Sequence, residues 1–357
     1  MSDCGATAGC GDGETCAGRR AQGRARPSRP TFAAIDLGTN NCRLLVACPA
    51  GSSFRVVDAF SRIVRLGEGL DATGTLSEAA IRRTLSALRI CASKIRGNGV
   101  VAARSVATEA CRKAANRQHF LARVRAETGL ALEIISTREE ARLALVGCMA
   151  LLDPGRSHAL VFDIGGGSTE LIWIDLSNDG KEDILGTLSL PCGVVNLSER
   201  YGGRELTRGV YEEIVTLVAD FLRPFEQAHG IAPRLDGGSV QMLGTSGTVT
   251  TLAAMHLGLA RYDRRRVDGC HLTFSELDAV MARLAGMSYE DRARLPCIGR
   301  QRADLVLAGS AILDAICRLW PVGRLRVADR GLREGILLGL MHRHRCAGAA
   351  ETRAARG

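Results

Sequence analysis

Leu160-Val-Phe-Asp163-Ile-Gly-Gly-Gly-Ser-Thr-Glu170 is a β-rich apolar run, then an aspartate, then a glycine-bearing turn, then the start of a second apolar strand. Ala33-Ala-Ile-Asp36-Leu-Gly-Thr-Asn-Asn41 follows the same plan 127 residues earlier, with the acid at the same place. A hairpin of this kind aims a ring of backbone N–H groups at an anion while its aspartate stands ready to hold a cation. One glycine-rich turn would say little. Two copies in one chain predict a clamp that grips a phosphate chain from both sides.

The sequence around the two copies supports that architecture. Apolar β-type runs fall at 32–36, 42–48 and 53–60, the spacing of a hairpin with a third strand. Ser77 is placed to cap a helix whose residues Ile81, Leu85, Leu88, Ala92 and Ile95 recur at helical spacing and which stops at Gly97-Asn-Gly99. A strand over Val100–Ala107, a helix from Asn116 to Gly129 and a strand over Leu130–Ile135 follow. Glu139–Leu152 reads as a strong helix with acids in its first turn, where the helix dipole favours them. Asp153-Pro-Gly turns the chain into the second hairpin, strand material continues to Leu190, and helices dominate from about Glu205. In that half Met242–Thr248 joins a strand to a helix through a Gly/Ser/Thr loop, and Leu325–Ile336 joins a strand to the last helix.

The expected fold class is α/β, with two halves that each open on an equivalent strand–turn–strand unit and a ligand cleft between them. The halves are expected at 31–137 and 138–345, the last helix being free to pack back on the first. Residues 1–30 are rich in Gly, Ala, Arg and Cys and end in Pro27 and Pro30, which predicts a disordered leader; 346–357 are expected to form a disordered tail.

Composition narrows the function classes. At 357 residues, 46% hydrophobic and 24% charged, the chain can bury two cores as an ordinary globular protein. No apolar run approaches the ~20 residues of a membrane helix, and no signal-peptide core is present, so a cytoplasmic protein without a membrane partner is expected. The thirteen cysteines are scattered singly, without a C-x-x-C pair, as small buried hydrophobes would be in a reducing compartment. Cys4, Cys10 and Cys16 are the regularly spaced exception, open to metal binding or oxidation. The net charge is +9, of which residues 1–30 carry +2 and 341–357 carry +3. Charge alone allows nucleic acid, but at 4% aromatic content no interleaved aromatic-basic surface supports it. Neither a P-loop G-x-x-x-x-G-K-[ST] nor a G-x-G-x-x-G after a first strand occurs, which argues against those nucleotide enzymes.

Six stretches carry a specific resemblance: Ile35–Arg43, Ala107–Arg112, Ile135–Arg142, Phe162–Leu171, Gly244–Thr248 and Leu332–Gly335. Their residues and order resemble the exopolyphosphatase and guanosine pentaphosphate phosphohydrolase (Ppx/GppA) family over about residues 31–345. That family is a branch of the actin-like fold of sugar kinases and acetate kinases (ASKHA, ribonuclease H-like). The resemblance implies two actin-like domains flanking an interdomain cleft. Two departures are visible. No C-terminal His-Asp phosphohydrolase domain of the kind some members carry is expected here, which puts the grip on long polyphosphate and processivity in doubt but not the chemistry. Thr39-Asn40-Asn41 also stands where Ser-Asn-Ser is more usual.

Phosphoanhydride hydrolysis needs a cradle for phosphate oxygens, a metal for developing charge and an oriented water. The cradle is expected from Gly38, Thr39, Asn40 and Asn41 on one side and Gly165, Gly166, Gly167 and Ser168 on the other. Asp163 and Glu170, seven residues apart on two arms of one hairpin, can face one Mg²⁺, with Asp36 joining through water. The resemblance points to Glu140, the second acid of Glu-Glu-Ala-Arg, as the base, and leaves Glu139 as a solvated first-turn acid. Arg112 and Arg43 are candidates to fork phosphate oxygens, Arg43 being equally able to pair structurally. Gly244, Thr245, Ser246, Gly247 and Thr248 match the place where related ATPases hold adenosine, for a guanosine or more phosphate chain. His342 and His344 fit exposed positions on a final helix better than a metal site.

The implied activity is Mg²⁺-dependent release of terminal orthophosphate from inorganic polyphosphate, pppGpp or both, by direct attack of water. Two rivals use the same cleft: a non-hydrolytic sensor of an alarmone such as guanosine penta- or tetraphosphate, and a kinase of the same fold. An intact Glu140 disfavours the sensor. The sequence does not rank polyphosphate against pppGpp, and it leaves open whether the chain works as a homodimer.

Overall fold

The computed structural model describes residues 29–51, 53–178 and 181–354. The leader expected over 1–30, with Cys4, Cys10 and Cys16, lies outside them except for its last two residues.

The first half contains β1 (Thr31–Leu37), β2 (Asn41–Ala50), β3 (Ser53–Ile63), α1 (Leu70–Thr73), α2 (Glu78–Gly97), β4 (Val100–Ala107), α3 (Glu109–Lys113), α4 (Arg117–Thr128) and β5 (Leu132–Ile134). Next come α5 (Thr137–Cys148), β6 (His158–Ile164), β7 (Thr169–Asn178), β8 (Lys181–Leu190), α6 (Val194–Tyr201) and α7 (Arg208–His229). The chain then runs through β9 (Val240–Thr245), α8 (Ser246–His256), α9 (Arg264–Val267), β10 (His271–Thr273), α10 (Phe274–Ala285) and α11 (Tyr289–Arg294). It ends with α12 (Val306–Leu319), β11 (Arg324–Ala328) and α13 (Leu332–Ala354).

The strands form two sheets, in the orders β3-β2-β1-β4-β5 and β10-β11-β9-β6-β7-β8. Both contain the same four-strand plan. β1 pairs antiparallel with β2 and parallel with β4, while β6 pairs antiparallel with β7 and parallel with β9. The registers match residue for residue at the turns: Asp36 lies opposite Arg43, and Asp163 lies opposite Glu170. The repeat read in the sequence is therefore a repeat of topology, and it sets both aspartates at the carboxyl ends of central strands.

β1 is apolar on both faces because both are covered. Ala33, Ile35 and Leu37 join the core formed with α2 and α4, while Phe32 and Ala34 pack with Leu143 of α5 and Ile336, Leu337, Leu340 and Met341 of α13. The second sheet is likewise covered twice, on one face by a large core including α7, α8, α10 and α12, and on the other by Ala141, Leu145 and Cys148 of α5. α5 and α13 thus form a shared middle layer, with Leu143 facing one sheet and Leu145 the other. They cross closely at glycines: a Cβ on Gly147 would clash with the backbone of Gly331, and one on Gly335 with the backbone of Leu143.

Ser77 caps α2 and Ser136 caps α5 through side-chain acceptance of the N3 amide, so α5 starts two residues before the stretch expected from its acids. It stops at Cys148, where a 3-10 turn over Met149–Leu151 takes over. Helical structure also runs to Ala354, through part of the segment expected as a tail. Seven of the cysteines, including Cys91, Cys148 and Cys317, are buried. Among the described residues, no helix is long and apolar enough to cross a membrane.

Candidate functional site

A cavity of about 130 Å³ lies where the carboxyl ends of the two sheets face each other. That is room for a phosphoryl group together with several waters, each needing roughly 10–15 Å³ on this measure. Fifteen expected residues line it: Asp36, Gly38, Thr39, Asn40, Asn41, Arg43, Glu140, Asp163, Gly165, Gly166, Gly167, Ser168, Ser246, Gly247 and Thr248; Glu170 is the sixteenth.

The two hairpin turns are built alike. Gly38 N–H donates to Asn41 O at 2.9 Å, and Gly165 N–H donates to Ser168 O at 2.9 Å. These two amides close their own turns, which removes them from the expected cradle. The amides of Thr39, Asn40, Gly166 and Gly167 have no protein acceptor among the described residues and are the donors left for an anion. The turns nearly touch: a Cβ on Gly166 would sit 3.0 Å from Thr39 Cβ, and one on Gly167 would sit 2.7 Å from Thr39 Oγ1. Glycine is needed there for the approach of two backbones, not for a positive φ.

Five carboxylates line the cavity; Glu109 is held by Arg112, and among the other four each raises the next. Burial raises Asp36, with Arg43 and Arg333 pulling the other way. Burial and then the charge of Asp36 push Asp163 up to about 6. Burial and Asp163 push Glu170 up to about 7, although it accepts from Ser168 Oγ at 2.6 Å and Ser189 Oγ at 3.1 Å. Burial and Glu170 raise Glu140 well above the usual carboxylate range against the pull of Arg112. Among the described residues no group of three or more His, Cys, Asp or Glu side chains is set closely enough to hold a metal ion by itself. The donor set nevertheless suits a hard cation held through one or two carboxylates with water and phosphate oxygens, the habit of Mg²⁺. Asn40 Oδ1 and Asn41 Oδ1, sealed from solvent without a hydrogen-bond donor, add to the excess of negative oxygen.

Glu140 faces the cavity, whereas Glu139 pairs with Arg142 at 2.9 Å and Arg104 at 3.1 Å. Arg112 does not line the cavity. Its Nη1 donates to Glu140 Oε2 at 2.6 Å and to Ile135 O at 3.0 Å, and Glu109 Oε2 accepts from its Nε and Nη2. Those bonds place it behind Glu140 rather than on phosphate oxygens. Gly244 and Thr245 also stay out of the cavity. Gly244 packs under the Phe162 ring, and Thr245 Oγ1 donates to Arg330 O at 2.7 Å. Only the second half of that motif reaches the site, at the N-terminus of α8, where Ser246 has a φ of 80°. His342 and His344 are apart from the cleft: His344 packs edge-on against Phe32, and His342 Nε2 lies 3.6 Å from Cys346 Sγ.

The sequence reading missed Thr108, Glu109 and Arg302 at the cavity. Glu109 stood inside a quoted stretch, two residues into a strand-to-helix turn, and was legible as a turn acid. Arg302 carried no mark in a chain whose basic residues are nearly all arginine. In the structure it lines the cavity without an ion-pair partner among the described residues.

Two matched α/β lobes, each presenting a glycine turn and an acid to one cleft, define an actin-like protein with a phosphate-handling site. The chain belongs to the Ppx/GppA phosphatase family, which it matches over residues 45–344. It is 31% identical over 333 residues to exopolyphosphatase 2 of Mycobacterium tuberculosis, covering 86% of this chain and 98% of that protein. It is 29% identical over 318 residues to the guanosine-5'-triphosphate,3'-diphosphate pyrophosphatase of Aeromonas salmonicida. That match covers 89% of this chain but only 61% of the longer relative. The crystal structure of the Aquifex aeolicus family member superposes with a TM-score of 0.71 at 29% identity, over 88% of this chain and 98% of that one.

Proposed function

We propose that this chain is a Mg²⁺-dependent phosphoanhydride hydrolase that releases terminal orthophosphate from inorganic polyphosphate, pppGpp or both. The observation that carries the reading is the meeting of four mutually repelling carboxylates with two unsatisfied amide pairs in one cavity. Acids that repel each other call for a cation, and free amides call for an anion; a metal-bound phosphate chain supplies both. The relatives' names, an exopolyphosphatase and a pppGpp pyrophosphatase, supply the two substrates.

In this reading the amides of Thr39, Asn40, Gly166 and Gly167 hold the terminal phosphoryl oxygens, and Asp163, Glu170 and Asp36 hold the cation. Mg²⁺, when bound, would neutralise charge on the phosphate oxygens. Glu140 orients a water and takes its proton as the new P–O bond forms and the anhydride P–O bond breaks. Arg112 keeps Glu140 ionised and aimed through the 2.6 Å bond. Arg43 and Arg302, both at the cavity wall, contribute positive charge to the chain that remains.

The test is phosphate release by wild type and Glu140→Gln, with Mg²⁺, from medium-length polyphosphate and from pppGpp in parallel. Release by wild type alone is the expected result, and the faster substrate names the preference. Equal release by both proteins would remove Glu140 as base. No release from either substrate by wild type, with pppGpp still bound tightly, would replace the hydrolase with a sensor.

A further inference from the structure

Beside the catalytic cavity lies a larger recess of about 510 Å³, which shares Asn40 and Leu305 with it. Arg65 is one of the residues that line it. This residue sits between β3 and α1 with a φ of 47°, one of two non-glycine residues in left-handed backbone among those described. The conformation lets Arg65 work in two directions. Its backbone N–H donates to Asn40 O at 3.0 Å, next to Val64 N–H at 2.8 Å on the same carbonyl, while Gly67 N–H holds Thr39 O at 2.9 Å. Its side chain crosses to the other lobe, where Nη2 donates to both carboxylate oxygens of Asp304 at 3.0 and 2.9 Å and to Gln301 O at 3.2 Å.

Both ends of this link are braced. On the near side Arg83 donates to Val64 O, Arg65 O and Glu68. On the far side Ser198 Oγ donates to Asp304 O, and Arg292, 2% exposed, spends its guanidinium on the carbonyls of Ala303, Met287 and Arg204. The segment so fixed carries Arg302, two residues before Asp304, into the cavity wall. A second bond crosses nearby, from Gly69 N–H to Glu199 Oε1 at 3.0 Å.

We propose that Arg65 is a positioning residue for the hydrolysis, a clasp that sets the distance between the Thr39–Asn40 turn and the Arg302 segment. The proposal rests on the hydrolase reading above. The side chains of Arg65 and Asp304 are 32% and 23% exposed, so water screens the pair and its bond adds little to folding. What it fixes is alignment: one residue ties the amides of one lobe to the guanidinium of the other. The recess behind the clasp is lined by Glu68, Glu199, Glu205 and Asp304 against Arg65 and Arg204, an acidic excess that repels a polyanion. A phosphate chain is thereby kept along Arg43 and Arg302 in the cavity wall.

The rival role for Arg65 is direct phosphate binding, and substitution of its partner separates the two. The experiment compares Arg65→Gly, Asp304→Asn and the swap Arg65→Asp with Asp304→Arg. Glycine and aspartate tolerate the left-handed backbone at this position. Steady-state release from medium-length polyphosphate is measured together with amide hydrogen exchange at residues 64–70 and 299–305. The clasp requires that each single variant raise KM about tenfold and speed exchange in both segments, with melting within a few degrees of wild type. It also requires that the swap return KM to within threefold. Wild-type KM or better in Asp304→Asn overturns it, as does a folded swap without recovery. If wild type releases no phosphate, the hydrolase reading fails, while coupled exchange in the two segments still decides whether the lobes are clasped.

Discussion

The guanidinium of Arg112 reaches Glu140 Oε2 at 2.6 Å from Nη1, while Glu109 Oε2 takes its Nε and Nη2 at 3.0 and 2.8 Å. One cation on α3 is thus shared between a carboxylate on its own helix and one on α5. Burial works against the charge of Arg112, but Glu140 and Glu109 together raise its pKa, so it stays charged throughout the working range. Glu140 gains the most from this arrangement, because burial and Glu170 push its pKa up and Arg112 is the main force holding it down.

A pH profile reads that balance. A base must be ionised, so kcat/KM is expected to rise with pH through the ionisation of Glu140. Arg112→Met removes the force that lowers this pKa, and the acidic limb is expected to move to higher pH. A move of one pH unit lowers the rate on that limb about tenfold. An Arg112→Met profile that keeps the wild-type limb would detach Arg112 from Glu140.

The acids of the cleft are expected to cost stability in the metal-free protein. Asp163 moves from 3.8 to about 6 and Glu170 from 4.5 to about 7 on folding. The folded state therefore binds more protons than the unfolded state between those values, and stability falls as pH rises from about 4 to about 7. For Asp163 alone the penalty at pH 8 is ~3 kcal/mol. Asp163→Asn is expected to raise the melting temperature of metal-free protein at pH 8 by a few degrees and to abolish turnover. Mg²⁺ is expected to stabilise wild type at pH 8 and not Asp163→Asn. A variant that melts lower than wild type at pH 8 and the same at pH 5 would reverse the sign of this argument.

Much of this was legible in the sequence because the informative signals were local. The Asp-Gly hairpins, the Ser77 cap and the period of α2 each lie within one continuous stretch, so composition and spacing were enough to place them. The cavity wall contributed by Arg302 and the neutralised role of Arg112 were not local. They depend on side chains separated by many residues and on hydrogen bonds formed only after the lobes pack. The loss of the Gly38 and Gly165 amides from the cradle is of the same kind, since only the closed turn shows that each is already bonded. Gly244 stays out of the cavity wall because its missing Cβ serves the Phe162 ring, a packing need that a motif does not separate from a binding need.

The middle layer offers a test of the fold. Gly335 on α13 lies against the backbone of Leu143 on α5, with no side-chain end available to move aside. Gly335→Ala is expected to destabilise the protein by ~1–3 kcal/mol, the range for overpacking a tight interface. Because the same helix covers β1, the loss should appear as earlier unfolding in urea. An alanine variant as stable as wild type would show that the two helices pack less closely than described.

Arg302 gives the sharpest test of the anion side of the site. It faces the cavity beside Arg43, and burial together with the charge of Arg43 lowers its pKa. Arg43 likewise lowers the pKa of Arg333 behind the wall, so its charge bears on two other guanidiniums. Such a cluster is unfavourable until an anion enters, after which each charged hydrogen bond contributes ~1.5–3 kcal/mol. Arg302→Ala is therefore expected to raise KM by tenfold or more while kcat stays within about threefold, since the four carboxylates are untouched. The ligand-free variant should melt no lower than wild type, because repulsion is relieved. Inorganic phosphate should then raise the melting temperature of wild type more than that of Arg302→Ala. A large fall in kcat with KM unchanged would move Arg302 from holding the chain to acting on the phosphoryl group in transfer.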